Sequence, residues 1–199
     1  MENKVEYHLR DKEEKIVEAW EKAFEEMQEV RISQGEIMKI KADAIVSPAN
    51  SFGFMDGGID LIYSLFFGWQ LQERLQAKIV EQYEGELPIG QAVIIETNNE
   101  EIPYLISAPT MRLPMDVSDS VNAYLAFRAS ILAVKHFNQT ADKPIKSVVC
   151  PGLCTATGNM PYNRSARQMA IAYRNVALGQ LKLPFHASYL MNEHFRLIR

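Results

Sequence analysis

Cysteine is scarce in this chain: two residues, Cys150 and Cys154, in 199. They do not form a CxxC pair, so neither a disulfide frame nor a thiolate metal knuckle is expected, and a reducing cytosol is the implied compartment. No apolar run approaches the ~20 residues of a membrane span. The Met-Glu-Asn-Lys start has no secretory apolar core. His8, His136, His186 and His194 are isolated, with no ligand spacing for zinc. There is no GxGxxG for a dinucleotide, no Lys-Ser/Thr after a glycine loop for a P-loop, and no GxSxG elbow. Internal repeats and low-complexity tracts are missing as well. Net charge is −4, but residues 1–30 carry ten acids and five cations. That leaves residues 31–199, with sixteen cations and fifteen acids, at +1. A near-neutral remainder does not repel an anion and lacks the broad basic footprint of a nucleic-acid binder.

What is present is a core-forming composition, 47% hydrophobic, with strand-like and helix-like segments in alternation. Val5–Leu9 reads as a strand, Asp11 as a cap, and 12–27 as a helix with Ile16, Trp20, Ala23, Phe24 and Met27 on one face. Val30–Ser33 is a second strand, so strand-helix-strand implies a parallel pair. Its acidic helix is read as a solvated face. Ala44–Val46 is a buried strand, Ile59–Phe67 and Trp69–Tyr83 helices, and Gln91–Glu96 and Tyr104–Ala108 strands. A helix capped by Ser118 or Asp119 runs to about Phe137, a strand covers Lys146–Cys150, and a last main helix runs from Pro161 to Leu178 before Gly179. The 181–199 tail is expected to be a short helix. The pattern predicts a three-layer α/β/α domain with a mixed, largely parallel sheet, spanning 1–199, with 1–30 extending the sheet and 180–199 as a tail.

Two loops carry the chemistry. Ala44-Ile45-Val46-Ser47-Pro48 is a strand that proline terminates. A loop with Gly53, Gly57 and Gly58 follows, and then a helix. Cys150-Pro151-Gly152-Leu153-Cys154-Thr155-Ala156-Thr157-Gly158 repeats the layout in the second half. Glycines let backbone approach an anion, and first-turn amides are free to bind it. One such loop is commonplace; two could grip a diphosphate from both sides.

With Asp43-Ala44-Ile45-Val46-Ser47-Pro48-Ala49-Asn50, Gly57-Gly58-Ile59-Asp60 and Pro151-Gly152-Leu153-Cys154-Thr155-Ala156-Thr157-Gly158, the chain resembles the macro domains, which bind ADP-ribose. The likeness runs from about Glu29 to Gly179. It implies that Gly57, Gly58, Ile59 and the Cys154-Thr155-Ala156-Thr157-Gly158 loop hold the diphosphate. Asn50 would hold the distal ribose, and Glu36 beside Ile37 the adenine. In the hydrolytic members an aspartate at the place of Asp60 positions or activates water. No metal or cofactor is implied; the partner is ADP-ribose or an ADP-ribosylated protein.

The plainer readings stay open. Asn50 can stabilise its own turn, Asp60 can be a carboxylate at a helix start, and Glu36 a surface turn carboxylate. Arg112 is read as a solvated loop cation, with phosphate neutralisation as the alternative. Trp69 is read as core or helix-junction packing, Cys154 as a small buried thiol, and Phe52 and Phe54 as stacking or rim residues. Ser47, Pro48, Asp56, Cys154 and Ala156 depart from the family pattern. Asp56 puts a negative charge beside the proposed diphosphate. Three functions follow: a reader of ADP-ribose, a hydrolase acting on ADP-ribose derivatives with Asn50 and Asp60 as its catalytic residues, or a scaffold that has lost the ligand.

Overall fold

The computed structural model describes residues 4–183 and 186–198; Met1, Glu2, Asn3, Pro184, Phe185 and Arg199, at the expected N-terminus and in the expected tail, lie outside them. Six strands form one sheet: β1 (Glu6–Asp11), β2 (Val30–Gln34), β3 (Ala44–Ser47), β4 (Val93–Glu96), β5 (Tyr104–Ser107) and β6 (Ser147–Cys150). Their order is β2-β1-β6-β3-β5-β4. Every neighbouring pair is parallel except β4–β5 at the edge. Helices α1 (Glu14–Ala23), α2 (Gly58–Phe67), α3 (Gln70–Tyr83), α4 (Asn122–Thr140), α5 (Tyr162–Ala172) and α6 (Ala187–Ile198) complete it. No helix among the described residues is long and apolar enough to cross a membrane.

The three layers follow from side-chain alternation in the central strands. In β3, Ala44 and Val46 join the core beneath α1, α4 and α5, with Trp20, Phe127 and Met169. Ile45 points the other way, into the core beneath α2 and α3, with Tyr63, Leu71, Leu75 and Ile79. β6 splits likewise, Val148 and Cys150 against Val149. All four β3 residues are buried, which is why the strand reads as an unbroken apolar run.

Three of the four interior strands, β3, β5 and β6, leave the sheet through a proline: Ser47-Pro48, Ala108-Pro109 and Cys150-Pro151. Proline offers no amide to the ladder. The chain therefore breaks into loops at one common edge, the carboxyl edge of the parallel strands, where α/β sheets bind ligands.

Some boundaries move. β1 runs two residues past Leu9, because Arg10 and Asp11 pair with Ser33 and Gln34. Asp11 is thus a strand end, and Glu13 caps α1 instead, accepting from the Lys15 amide at 3.3 Å. That helix stops at Ala23, and Phe24 and Met27 are buried in the turns that follow. α4 starts at Asn122 with Val121 at its cap. Asp119 pairs with Arg164 at 2.9 Å, and Ser118 donates its amide to Asp116. β4 begins at Val93 and β5 ends at Ser107. The last main helix gives way at Tyr173–Ala177 to a wider π turn, and Gly179, at φ +64°, ends it.

Candidate functional site

A cleft of about 580 Å³ opens at this carboxyl edge, within the range of small-molecule sites. Its wall takes Arg10–Glu13 from the end of β1, Gly35 and Ile37 after β2, and Pro48–Asn50 after β3. Thr110 and Met111 come from beyond β5, and Pro151 and Gly152 from beyond β6. Both small-residue loops reach the same cleft: Asp56 to Asp60 on one side, Cys154 to Gly158 on the other.

The first loop is braced by its own side chains. Asn50 Oδ1 accepts the Phe52 and Phe54 amides at 3.1 and 3.3 Å, and Nδ2 donates to the Phe54 carbonyl at 2.8 Å. Gln72 accepts the Met55 amide and Ser64 donates to the Met55 carbonyl. The turn-stabilising reading of Asn50 therefore holds in this geometry; one Nδ2 hydrogen is left for a ligand. Gly57 is the N-cap of α2, with no side-chain hydrogen bond to the first turn. Among the described residues, no protein acceptor takes the amides of Gly57, Gly58, Ile59 or Asp60. A helix start with unspent amides favours an anion.

The second loop is held from outside. Asp11 Oδ2 accepts the Gly152 amide at 2.9 Å. Ser165 donates to the Leu153 carbonyl, and Gly158 O accepts the Val117 amide. Gly158 is packed so closely that a Cβ would lie 2.6 Å from the Cys154 carbonyl oxygen. Cys154 takes φ +65°, a left-handed conformation that favours glycine. Its thiol is buried and pushed up to about 12 by desolvation, so it stays protonated and is no nucleophile. No protein acceptor among the described residues takes the amides of Thr155, Ala156, Thr157 or Gly158.

Asp60 sits in the first turn of α2, buried, yet on the cleft wall. Ser47 donates to its Oδ1 at 2.6 Å. Burial raises its pKa from 3.8 to about 7, against the lowering effect of the Ser47 hydrogen bond. Ser47, one of the departures from the pattern the chain resembles, is thus the partner of the candidate base.

Other expected residues fall elsewhere. Glu36 is not on the cleft wall; its carboxylate lies 3.3 Å from Lys12 Nζ, which is on the wall. Arg112 makes a two-pronged pair with Glu86 at 2.7 and 2.9 Å and lies 4.9 Å from the Phe52 ring centre, away from the cleft. Phe54 is an exposed rim residue, and Asp56 is exposed on the cleft lip. Trp69 stands at the α2–α3 junction but is half exposed, so it is not core. Sequence reasoning missed Arg10, Asp11, Lys12, Thr110, Met111 and Tyr162. The carboxyl-edge rule would have found Arg10 and Asp11, had β1 been carried to its true end.

The sheet is doubly covered and mostly parallel, with two small-residue loops at one edge, the layout of an α/β domain whose ligand site lies at the carboxyl ends of its strands. Residues 46–169 match the macro domain family. A protein of Aquifex aeolicus is 32% identical over 142 residues, covering 71% of this chain and 78% of that one. A macro domain-containing protein of Caldanaerobacter subterraneus is 28% identical over 70% of this chain and 76% of its own. The macrodomain of Mycobacterium tuberculosis DarG superposes with TM-score 0.60 at 19% identity, covering 73% of this chain and 90% of that one. The Oceanobacillus iheyensis macrodomain with ADP gives 0.57 at 16% identity, with 80% and 90% covered. This chain belongs to the macro domain family.

Proposed function

We propose that the cleft binds ADP-ribose, free or attached to a protein. The carrying observation is that two loops about a hundred residues apart line one open cleft with unspent backbone amides. The Gly57, Gly58 and Ile59 amides and those of Thr155 to Gly158 take the diphosphate. The remaining Asn50 hydrogen and Asp60 face the distal ribose. Ile37, on the cleft wall, packs on the adenine. Glu36, outside the wall, accepts the adenine amino group once its carboxylate leaves the exposed pair with Lys12 and turns inward, a loss that costs little. The Oceanobacillus iheyensis macrodomain with ADP, and a variant of it with ADPR at TM-score 0.55 and 18% identity, support the same ligand class here.

Calorimetry with ADP-ribose tests this. The wild type gives heat, and Gly57→Glu weakens binding at least tenfold, about 1.4 kcal/mol or more. A Cβ at Gly57 meets nothing within 4 Å, so this change adds bulk and charge to the cleft without an internal clash. No heat at millimolar ligand would overturn the reading.

One observation favours hydrolysis as a second reading. A carboxyl on the cleft wall held near neutral pKa can accept a proton from water and return it. Asp60→Asn then abolishes release of ADP-ribose from a modified protein or from an acylated derivative. Undiminished turnover removes Asp60 from the chemistry.

A further inference from the structure

The outer face of α2 is unlike an ordinary helix surface. Ile62, Leu65 and Phe66 follow one another at i, i+3 and i+4, the spacing of a helical stripe meant for burial, and Trp69 adds to the patch just past the Gly68 break that ends the helix. All four are exposed, Leu65 at 69%. No described part of the chain covers them. An apolar stripe of this kind marks an interaction site.

Its position chooses the occupant. The stripe runs straight into the cleft: Ile62, with Phe54, is on the cleft wall. Across the mouth Pro114 is also on the wall, between exposed Leu113 and Met115. A second copy of the chain seated on the stripe would rest on Ile62, a residue of the cleft wall, and sedimentation tests for it below. A lipid surface lacks its usual electrostatic hold, since residues 51–72 carry Asp56 and Asp60 and no lysine or arginine. Asn50 and Asp60, placed at the distal ribose in the reading above, share the cleft wall with Phe54, Asp56 and Ile62.

Resting on the ADP-ribose reading, we propose that the α2 stripe seats the polypeptide that carries the ADP-ribosyl group, and that it selects modified residues flanked by apolar and basic side chains. The apolar flank covers Leu65, Phe66 and Trp69, and the basic flank answers exposed Asp56. Most of the discrimination among targets then lies outside the nucleotide cleft.

Three probes test this by calorimetry: free ADP-ribose, a peptide bearing ADP-ribose through a hydrolysis-resistant triazole link with Leu and Lys on either side, and the same peptide with Gly and Ser. The Leu/Lys peptide should bind at least about tenfold tighter than the other two. Leu65→Glu, and separately Trp69→Gln, should erase that advantage and leave free ADP-ribose affinity unchanged. Equal affinity for the three probes, or an advantage that survives both substitutions, overturns the proposal while the cleft reading stands. A wild-type dimer in sedimentation that Leu65→Glu dissolves also overturns it, making the stripe a self-association face. Absence of binding to free ADP-ribose overturns the cleft reading and this proposal with it.

Discussion

At Asp60 two local effects oppose each other. Burial penalises the ionised carboxyl, while the Ser47 hydroxyl and the start of α2 favour it. Burial prevails and the pKa reaches about 7. Below about pH 4 the carboxyl is largely protonated in both folded and unfolded chains, so there is no ionisation penalty there. From about pH 4 to about 7 the unfolded carboxyl ionises while the native one keeps its proton. The folded state therefore loses up to about 4 kcal/mol as pH rises, and no more above that. Asp60→Asn keeps an acceptor for Ser47 and cannot titrate. Denaturant unfolding of both proteins across this range should show the variant gaining on the wild type as pH rises. A constant difference would mean an ordinary carboxyl. The identity of Asp60 as a site candidate was legible from its motif. Its pairing with Ser47 was not, because thirteen residues of loop and helix must fold before the two side chains meet.

At the level of elements, the carboxyl end of β1 serves the second loop. Asp11 accepts the Gly152 amide with one oxygen and the Glu13 amide with the other. A single strand-terminal carboxylate thus anchors both the α1 start and the candidate phosphate loop. Asp11→Ala leaves both amides unpaired and should cost about 1–3 kcal/mol. The loss should concentrate in 152–158, read as faster hydrogen exchange there than in β6. Unchanged exchange would show that the loop's own turns suffice to hold it. This anchor also explains what periodicity could and could not see. The apolar spacing of Ile16, Trp20, Leu71, Leu75 and Ile79 placed α1 and α3, since burial writes itself into a helix face. The ends of β1 and α4 were misplaced because long-range partners set them: Ser33 and Gln34 for β1, Gly158 holding Val117 ahead of α4.

For the molecule as a whole, the match to the family begins at residue 46, yet the sheet does not. β1 lies between β2 and β6, and β1, α1 and the turn after it bury Leu9, Ile16, Trp20 and Phe24. Trp20 also donates its indole N–H to Met169 Sδ in α5 at 3.4 Å. Losing even a few such side chains costs 2–5 kcal/mol apiece, against a total stability of about 5–15 kcal/mol. α6 is the opposite case: Leu197 is its one buried residue among those described. Two α5 side chains reach its carbonyls, Arg167 to Arg196 and Gln168 to Leu197, and Gln168 has a second acceptor in the Ser120 carbonyl. Chain length and apolar content are similar tools for judging either end, and neither distinguishes them; burial does. A chain starting at Gly35 should therefore show no cooperative transition in scanning calorimetry. One ending at Gln180 should melt cooperatively within about 5 °C of the full chain, the scale of a ~1 kcal/mol loss or little more in a domain this size. Cooperative melting of the first near the full-length temperature would make residues 1–34 an accessory. It would also leave the Arg10–Glu13 side of the cleft dispensable to the fold that forms it.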